Sequence, residues 1–368
     1  MTVAAVRLDW VSLASYRSYQ EIRWEPAPGV NVLVGRNGAG KSNLMEGIGY
    51  LATLKSFRGA PDETLVAYDA DAAFVRGEVS QHEIQTLIEV EIRRRGGRRA
   101  NVNKHRLART TDLLEFVRMV AFLPEDLDIV KRGPDRRRGF LDEVAVQLAP
   151  AASLDQSEFD RALRQRNAFL KQRIDDEATL AVWDQRLAQA GGKVMARRAR
   201  AAAELGPVLD RSYADIAVQA AGLRINYVST WGGDLDPTIP APDFGDRLAG
   251  GLEAARRADR ERGVTTVGPH RDDPVLELDG HDLRYHGSQG EQRTAALSLR
   301  LATHRAVSDR AGVAPLLLLD DVFSELDPGR AEALAGALPD NQTLITTADR
   351  ADVPIDGRMW KVADGTVS

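Results

Sequence analysis

The sequence predicts an α/β protein whose main domain is interrupted by a mainly helical insertion. Three observations support this prediction. A strand, a glycine-rich loop and a helix open the chain; an apolar strand near residue 320 ends in two aspartates; and a long stretch rich in Ala, Arg, Gln and Glu with helical spacing lies between them. The order of strand, loop and helix at the start of the chain is typical of the beginning of an α/β domain. The main domain would therefore comprise residues 1–124 and 264–368, and the helical arm residues 125–263.

Length and composition exclude several classes of protein. With 368 residues, of which 43% are hydrophobic, the chain can bury one large core or two ordinary ones. The absence of Cys excludes disulfides, thiolate zinc sites, iron–sulfur clusters and cysteine nucleophiles. No apolar run approaches the roughly 18 to 20 residues that a bilayer span requires. We therefore expect a cytoplasmic protein without a membrane anchor.

The opening strand at 31–34 leads into Gly35–Ser42, which reads G-R-N-G-A-G-K-S and matches the phosphate-loop pattern G-x-x-x-x-G-K-[ST] at every specified position. Glycines let successive N–H groups point inward, and the following helix presents its positive end. Lys41 is expected to reach the β- and γ-phosphates, and Ser42 to ligate Mg²⁺. The candidate nucleotide contacts are Gly35, Arg36, Asn37, Gly38, Ala39, Gly40, Lys41, Ser42 and Asn43.

A hairpin with an unusual charge follows. The net charge of the chain is only −5, yet eight cations occur between residues 93 and 109 without an intervening carboxylate. The β-branched run at 84–92 and the Gly96-Gly97 pair predict that they lie at a hairpin tip. Such a cluster favours a polyanion partner, and a merely solvated hairpin is the alternative. The candidate DNA contacts are Arg93, Arg94, Arg95, Arg98, Arg99, Lys104 and Arg106.

The apolar run Leu316–Leu319 ends in Asp320 and Asp321, which is the form of a Walker B strand. Beside a phosphate loop, Asp320 would hold Mg²⁺ through its water shell and Asp321 would polarise the attacking water. Lys41, Asp320 and Asp321 are therefore the candidate catalytic residues, and Ser42 and Asp320 the candidate metal ligands. By itself, such a strand end is more often only solvated.

The segment Gly287–Arg293 precedes a helical run at 294–307. Ser288 and Gly290 could form a second phosphate-binding helix end, because serine and glycine there leave N–H groups and a hydroxyl exposed. The alternative is an ordinary capping box, in which Glu291 pairs with Ser288 in an S-x-x-E pattern. The segment read alone leaves both interpretations open.

The order of these elements resembles an ABC-type ATPase head. In that class the Ser288 segment corresponds to the signature motif and Ser324–Asp327 to the D-loop. The resemblance implies that ATP, with Mg²⁺, closes a head-to-tail pair of chains, with Ser288 of one copy contacting the γ-phosphate held by the other.

Further segments are similar to the RecF family of bacterial recombinational repair ATPases, which are related to the SMC heads. They cover nearly the whole chain, and Lys-Ser-Phe-Arg and Gly-Pro-His-Arg-Asp-Asp are the most selective. The segments are Tyr16–Tyr19, Gly35–Leu44, Lys55–Arg58, Leu123–Leu127, Arg137–Asp142, Gly268–Asp273, Gly287–Arg293 and Leu318–Asp327.

This second resemblance implies an ATP-dependent DNA clamp for recombinational repair and replication-fork maintenance, also linked to the SOS response. It would bind single- and double-stranded DNA at gaps and junctions, dimerise with ATP, hydrolyse ATP slowly in a DNA-dependent way, and work with RecR and RecO. Two departures from the ABC pattern suit a slow switch: Asp349 lies near the place of a switch His, and Pro124–Asp126 replaces the Q-loop Gln. A third departure, Glu291 in place of the signature Gln, bears on the tightness of the nucleotide-bound dimer.

Two other functions share part of the pattern. A nucleotide-binding subunit of a membrane transporter would share the phosphate loop, signature and Walker B strand, but the arginine-rich hairpin counts against it. A P-loop kinase would give Ser288 no role. Among the remaining residues, His270 could be catalytic, although a buried polar turn is favoured, and the basic segment 131–138 could be a structural salt network.

Overall fold

The computed structural model of the chain describes residues 4–174, 176–217, 222–229 and 233–368. They form two compact units. The first unit comprises Met1–Asp126, Ala214–Gln219 and Leu297–Ser368, and the second comprises Leu127–Tyr213 and Ala220–Ala296. The second unit overlaps most of the insertion at 125–263 that the sequence predicts.

The strands in chain order are β1 (Ala4–Ala5), β2 (Arg7–Tyr16), β3 (Tyr19–Trp24), β4 (Val30–Val34), β5 (Ala72–Gln81), β6 (Ile84–Arg93), β7 (Gly97–Val102), β8 (His105–Arg106), β9 (Met119–Phe122), β10 (Leu223–Ser229), β11 (Gly233–Asp234), β12 (Asp273–Leu278), β13 (His281–Asp282), β14 (Val313–Ala314), β15 (Leu316–Asp320), β16 (Thr343–Thr347), β17 (Arg358–Ala363) and β18 (Thr366–Val367). The helices are α1 (Lys41–Thr53), α2 (Leu127–Lys131), α3 (Pro134–Leu148), α4 (Ala152–Lys171), α5 (Glu177–Ile216), α6 (Ala241–Arg262), α7 (Leu283–His286), α8 (Gln289–Ala311) and α9 (Pro328–Ala337).

A mainly parallel sheet of order β18-β17-β4-β16-β15-β9 organises the first unit. Its strands β15 and β16 are buried along their whole length, as expected for strands covered on both faces. Thr346 of β16 lies opposite Asp320 of β15 on one side and opposite Leu33 of β4 on the other. The carboxyl ends of β4, β16 and β15 therefore meet at one edge, which is where ligands bind in sheets of this kind.

A second sheet in the first unit, of order β3-β2-β5-β6-β7-β8, is antiparallel and contains the predicted hairpin. Strand β6 pairs with β7 so that Arg93 lies opposite Gly97. Gly96 and Gly97 have φ of 107° and 77°, a left-handed conformation that glycine adopts without a steric penalty. The hairpin prediction is thus confirmed.

The second unit combines helices with a small antiparallel sheet of order β11-β10-β12-β13. Leu180, Leu187 and Val194 of the 40-residue α5 are all buried, in agreement with their helical spacing. The unit continues to Ala296, beyond the boundary expected at residue 263. The physical reason is that β12, which we expected in the main domain, pairs along its whole length with β10 of the insertion.

Within the described ranges, none of the helices combines the length and apolarity needed to cross a membrane.

Candidate functional site

The phosphate loop has the backbone that the motif predicts. Gly38 and Gly40 adopt left-handed φ values of 83° and 106°, and a Cβ on Gly35 would lie 2.3 Å from the carbonyl oxygen of Val362. Side chains at these three positions would strain or displace the loop. Helix α1 begins directly after it, at Lys41, so its free N–H groups face the loop. The loop's outer residues, which are exposed or half-buried, are Arg36, Asn37 and Ala39.

Lys41 folds back over this loop. Its Nζ donates hydrogen bonds to the carbonyl oxygens of Gly35, at 2.6 Å, and Arg36, at 3.1 Å. Burial lowers the pKa of the Lys41 ammonium, and the carboxylates of Asp321 and Asp320 oppose that shift. Phosphate oxygens could replace these carbonyls without a large movement of the side chain, because the ammonium already lies at the mouth of the loop.

Ser42 and Asp320, the predicted metal ligands, are in direct contact. The Ser42 hydroxyl donates to Asp320 Oδ1 at 3.0 Å, and the buried Thr346 hydroxyl donates to the same oxygen at 2.6 Å. These bonds join the start of α1 to the ends of β15 and β16. A hydroxyl and a carboxylate are hard oxygen donors of the kind that Mg²⁺ prefers, so the donor set fits that ion.

Asp321 occupies a strained position beside this pair. Its φ is 52°, and its N–H donates to both the carbonyl oxygen and the hydroxyl of Thr346, at 3.2 and 3.0 Å. Its Oδ1 is buried, and no hydrogen-bond partner for it lies in the described part of the chain. Burial raises the pKa of the Asp321 carboxyl, while Ser324 and Lys41 oppose the rise. A carboxylate with one unpartnered oxygen and a raised pKa is suited to accept a proton.

Two polar residues at the nucleotide-binding edge of the sheet were not predicted from the sequence. Thr346 contacts both aspartates, and the available signal was a polar residue near the end of the strand that follows the aspartate pair. Tyr19 donates its hydroxyl hydrogen to the Gly40 carbonyl at 3.1 Å, and burial raises its pKa to about 12. Asn43, an expected nucleotide contact, donates to the Ser18 hydroxyl at 2.9 Å.

Ser288 lies in the second unit, exposed, immediately before α8. Its N–H donates to Glu291 Oε2 at 2.7 Å, and the Glu291 N–H donates to Ser288 Oγ at 3.3 Å. This is the reciprocal capping box that the sequence left as an alternative. The box keeps the serine at the exposed end of the helix, so it is compatible with a phosphate contact. Gly290, the other predicted contact, is half-buried in the first turn.

The hairpin cations divide into two groups. Arg93 pairs with Glu91 and Arg98 with Asp62, each at 2.8 Å. Arg94 donates to the Ala67 carbonyl at 2.6 Å and also to the Ala70 carbonyl. These three arginines therefore have partners within the protein.

The other predicted DNA contacts are exposed, and none makes an ion pair with the residues that the structure describes. They remain available for a ligand of opposite charge. These residues are Arg95, Arg99, Lys104 and Arg106.

His270 has a structural environment within the second unit. It is largely buried, its Nε2 lies 3.1 Å from the Thr265 carbonyl oxygen, and burial lowers its pKa to about 4. In the basic segment, Arg137 forms a two-pronged ion pair with Asp273, with N–O distances of 2.8 and 2.9 Å. These contacts agree with the interpretation of His270 as part of a buried polar turn. They also agree with the interpretation of the basic segment 131–138 as a structural salt network.

The chain is similar throughout its length to known proteins. A family model described as the RecF/RecN/SMC N terminal domain matches residues 7–360. A DNA replication and repair protein RecF from Streptomyces avermitilis is 40% identical, with 97% of this chain and 98% of the relative covered. Its counterpart from Paenarthrobacter aurescens is 38% identical, with 98% of each covered.

The chain is also similar in structure to solved proteins of the same family. A structure of the recombination mediator RecF with ATP, described as part of the RecFOR pathway, has a TM-score of 0.89 at 32% identity, with 99% of each chain covered. A Pyrococcus furiosus SMC head domain has a TM-score of 0.55 at 15% identity, with 98% of this chain and 95% of that chain covered, and it shows the fold alone.

The parallel sheet, with a phosphate loop and an aspartate pair at one edge, defines an ABC-type ATPase head. The chain belongs to the RecF family of DNA replication and repair proteins.

Proposed function

We propose that this chain is an ATP-gated DNA clamp. ATP binds at Gly35–Asn43, two heads associate through Ser288, and the closed dimer holds DNA against exposed cations of the hairpin. Slow hydrolysis then opens the dimer. The exposure of Ser288 at the start of α8 is the observation that carries the proposal, because a buried serine could not reach the nucleotide of a second copy.

In this proposal the nucleotide is bound and hydrolysed by residues of the first unit. Lys41 contacts the β- and γ-phosphates, and Asp321 accepts a hydrogen bond from the attacking water. Ser42 and Asp320 would hold Mg²⁺, which neutralises phosphate charge when bound. Asp349, near the place of the transporter switch histidine, accepts a hydrogen bond from the Ala351 N–H at 2.9 Å. A carboxylate cannot donate to a γ-phosphate, so we expect slow turnover.

The DNA contact would be mainly to phosphates, through Arg95, Arg99, Lys104 and Arg106. Gaps and single-strand/double-strand junctions are the proposed targets, with RecO and RecR as partners, because similar proteins are described as mediators in the RecFOR pathway. This role would place the chain in the cytoplasm, with the chromosome.

Sedimentation with ATP, with ADP and without nucleotide tests the gate. We expect a dimer with ATP alone. Lys41→Ala should lose both nucleotide binding and dimerisation, whereas Ser288→Arg should bind ATP as a monomer. A Ser288→Arg protein that dimerises normally with ATP would show that the contact between copies is wrongly assigned.

The DNA half of the proposal has a separate test. DNA affinity should rise when ATP is present and fall steeply between about 50 and 200 mM salt, because phosphate contacts release counterions. The DNA clamp would be contradicted if DNA did not change the ATPase rate and ATP did not change the DNA affinity.

A further inference from the structure

An exposed aromatic and cationic patch precedes Ser288 in the second unit, and nothing described so far uses it. The Tyr285 side chain is 71% exposed, and the Arg284 guanidinium carbon lies 5.1 Å from the centre of its ring. The rings of His281 and His286, which are both exposed, lie 5.7 Å apart. We call these four residues the Tyr285 patch. Large exposed aromatic residues are enriched at protein interfaces.

The Tyr285 patch is tied to the turn that carries Ser288. Gln292, on the first turn of α8, is buried and donates through Nε2 to the carbonyl oxygens of Leu283 and Arg284, at 3.1 and 3.2 Å. Gly287 is packed so closely that a Cβ would lie 2.5 Å from Leu283 Cδ1. Helix α7 and the start of α8 are therefore held together, so one short stretch of the second unit presents both the Tyr285 patch and Ser288.

The positive charge of Arg284 in the patch favours a covering surface that carries negative charge. Arg284 is cationic, and its guanidinium lies beside the exposed Tyr285 ring. The nucleotide-binding edge of the first unit carries the ammonium of Lys41 as well as the carboxylates of Asp320 and Asp321, and a bound triphosphate makes this edge negative. A second copy that presents this edge to Ser288 would therefore be complementary to the patch.

We infer that a second copy of this chain covers the Tyr285 patch when ATP closes the dimer, and that Tyr285 anchors this contact. The inference rests on the proposed head-to-tail association through Ser288. It adds an interface residue outside the signature motif, whose ring supplies contact area at a small cost in side-chain entropy.

The test compares two exposed tyrosines of the full chain. Tyr285→Ala should weaken ATP-dependent dimerisation roughly tenfold or more, the size of an interface anchor. Tyr285→Phe should dimerise nearly as well as the unmodified chain, because it keeps the ring. Tyr68→Ala, at a residue that is 99% exposed in the first unit, is the matched control and should have no effect. ATP binding by the monomer should be unchanged in all three variants.

The outcomes separate this inference from the proposed function. If the unmodified chain does not dimerise with ATP, or if Ser288→Arg dimerises normally, the proposed association fails. If dimerisation depends on ATP and on Ser288 but Tyr285→Ala matches Tyr68→Ala, the Tyr285 patch is not part of the interface. Equal weakening by both alanine variants would also overturn the inference.

Discussion

Arginine is used in opposite ways in the two units. In the second unit, Arg166 is fully buried, and its guanidinium lies 2.7 Å from carboxylate oxygens of both Asp184 and Asp259. In the hairpin of the first unit, Arg95 and Arg99 are exposed and make no ion pair with the described residues. The same side chain therefore stabilises one region and leaves charge available for a ligand in the other.

The cost of removing water explains the difference. A buried guanidinium requires carboxylate and hydrogen-bond partners, because an unpaired charge in the interior costs several kcal/mol. An exposed guanidinium remains hydrated and needs no partner, and a surface pair contributes only about 0 to 1 kcal/mol. The sequence contains 49 cations, but burial decides which of them can bind a polyanion.

The largest effect is expected at Arg166. Arg166→Leu would leave the carboxylates of Asp184 and Asp259 buried with one partner fewer, and should lower the free energy of unfolding of the second unit by about 3 to 5 kcal/mol. Urea denaturation measures this change. The control Arg257→Ala removes a guanidinium that is 92% exposed and paired with Glu261, and should cost less than about 1 kcal/mol. Equal costs would remove the contrast between buried and exposed arginines.

A smaller effect, which depends on pH, is expected at His270. Its folded-state pKa of about 4 lies below the ordinary 6.5, so the unfolded chain binds the proton more readily. Its contribution to stability is therefore complete above pH 6.5 and is lost as the pH falls toward 4. Between pH 7.5 and 5 this amounts to about 2 kcal/mol.

Comparison of the unmodified chain with His270→Gln isolates the pH-dependent contribution of His270 to the free energy of unfolding, since Gln does not titrate. Urea denaturation at pH 7.5 and at pH 5 should show that the variant loses less stability. A variant whose stability changes with pH as steeply as that of the unmodified chain would exclude His270 as the source.

The smallest effect on stability is expected for two exposed arginines of the hairpin. Arg95→Ala with Arg99→Ala should reduce the slope of log affinity for DNA against log salt by about 2 and leave stability within about 0.5 kcal/mol. The control, Arg161→Ala with Arg164→Ala on α4, removes the same charge from exposed residues of the second unit. Filter binding at several salt concentrations measures the slopes. The same decrease in both variants would indicate an effect of net charge, not of the hairpin.

Much of the candidate site could be predicted from the sequence, because its elements are local. Gly35–Ser42 specifies its own loop, and Gly96-Gly97 specifies the hairpin turn. Thr346 was not predicted, because its role depends on β16 lying between β4 and β15. The boundary at residue 263 was placed too early because β12 reads as an ordinary strand in either unit, and only its pairing with β10 assigns it.

The sequence by itself determined the fold class, the phosphate loop, the aspartate pair and the clustering of cations, since each depends on neighbouring residues and on the period of the backbone. Only the tertiary structure decided which cations are free and which are paired. Arg98 is paired with Asp62, 36 residues away, and Arg94 with carbonyls more than 20 residues away. Such pairing is a property of residues brought together by folding, and no local pattern of residue types records it.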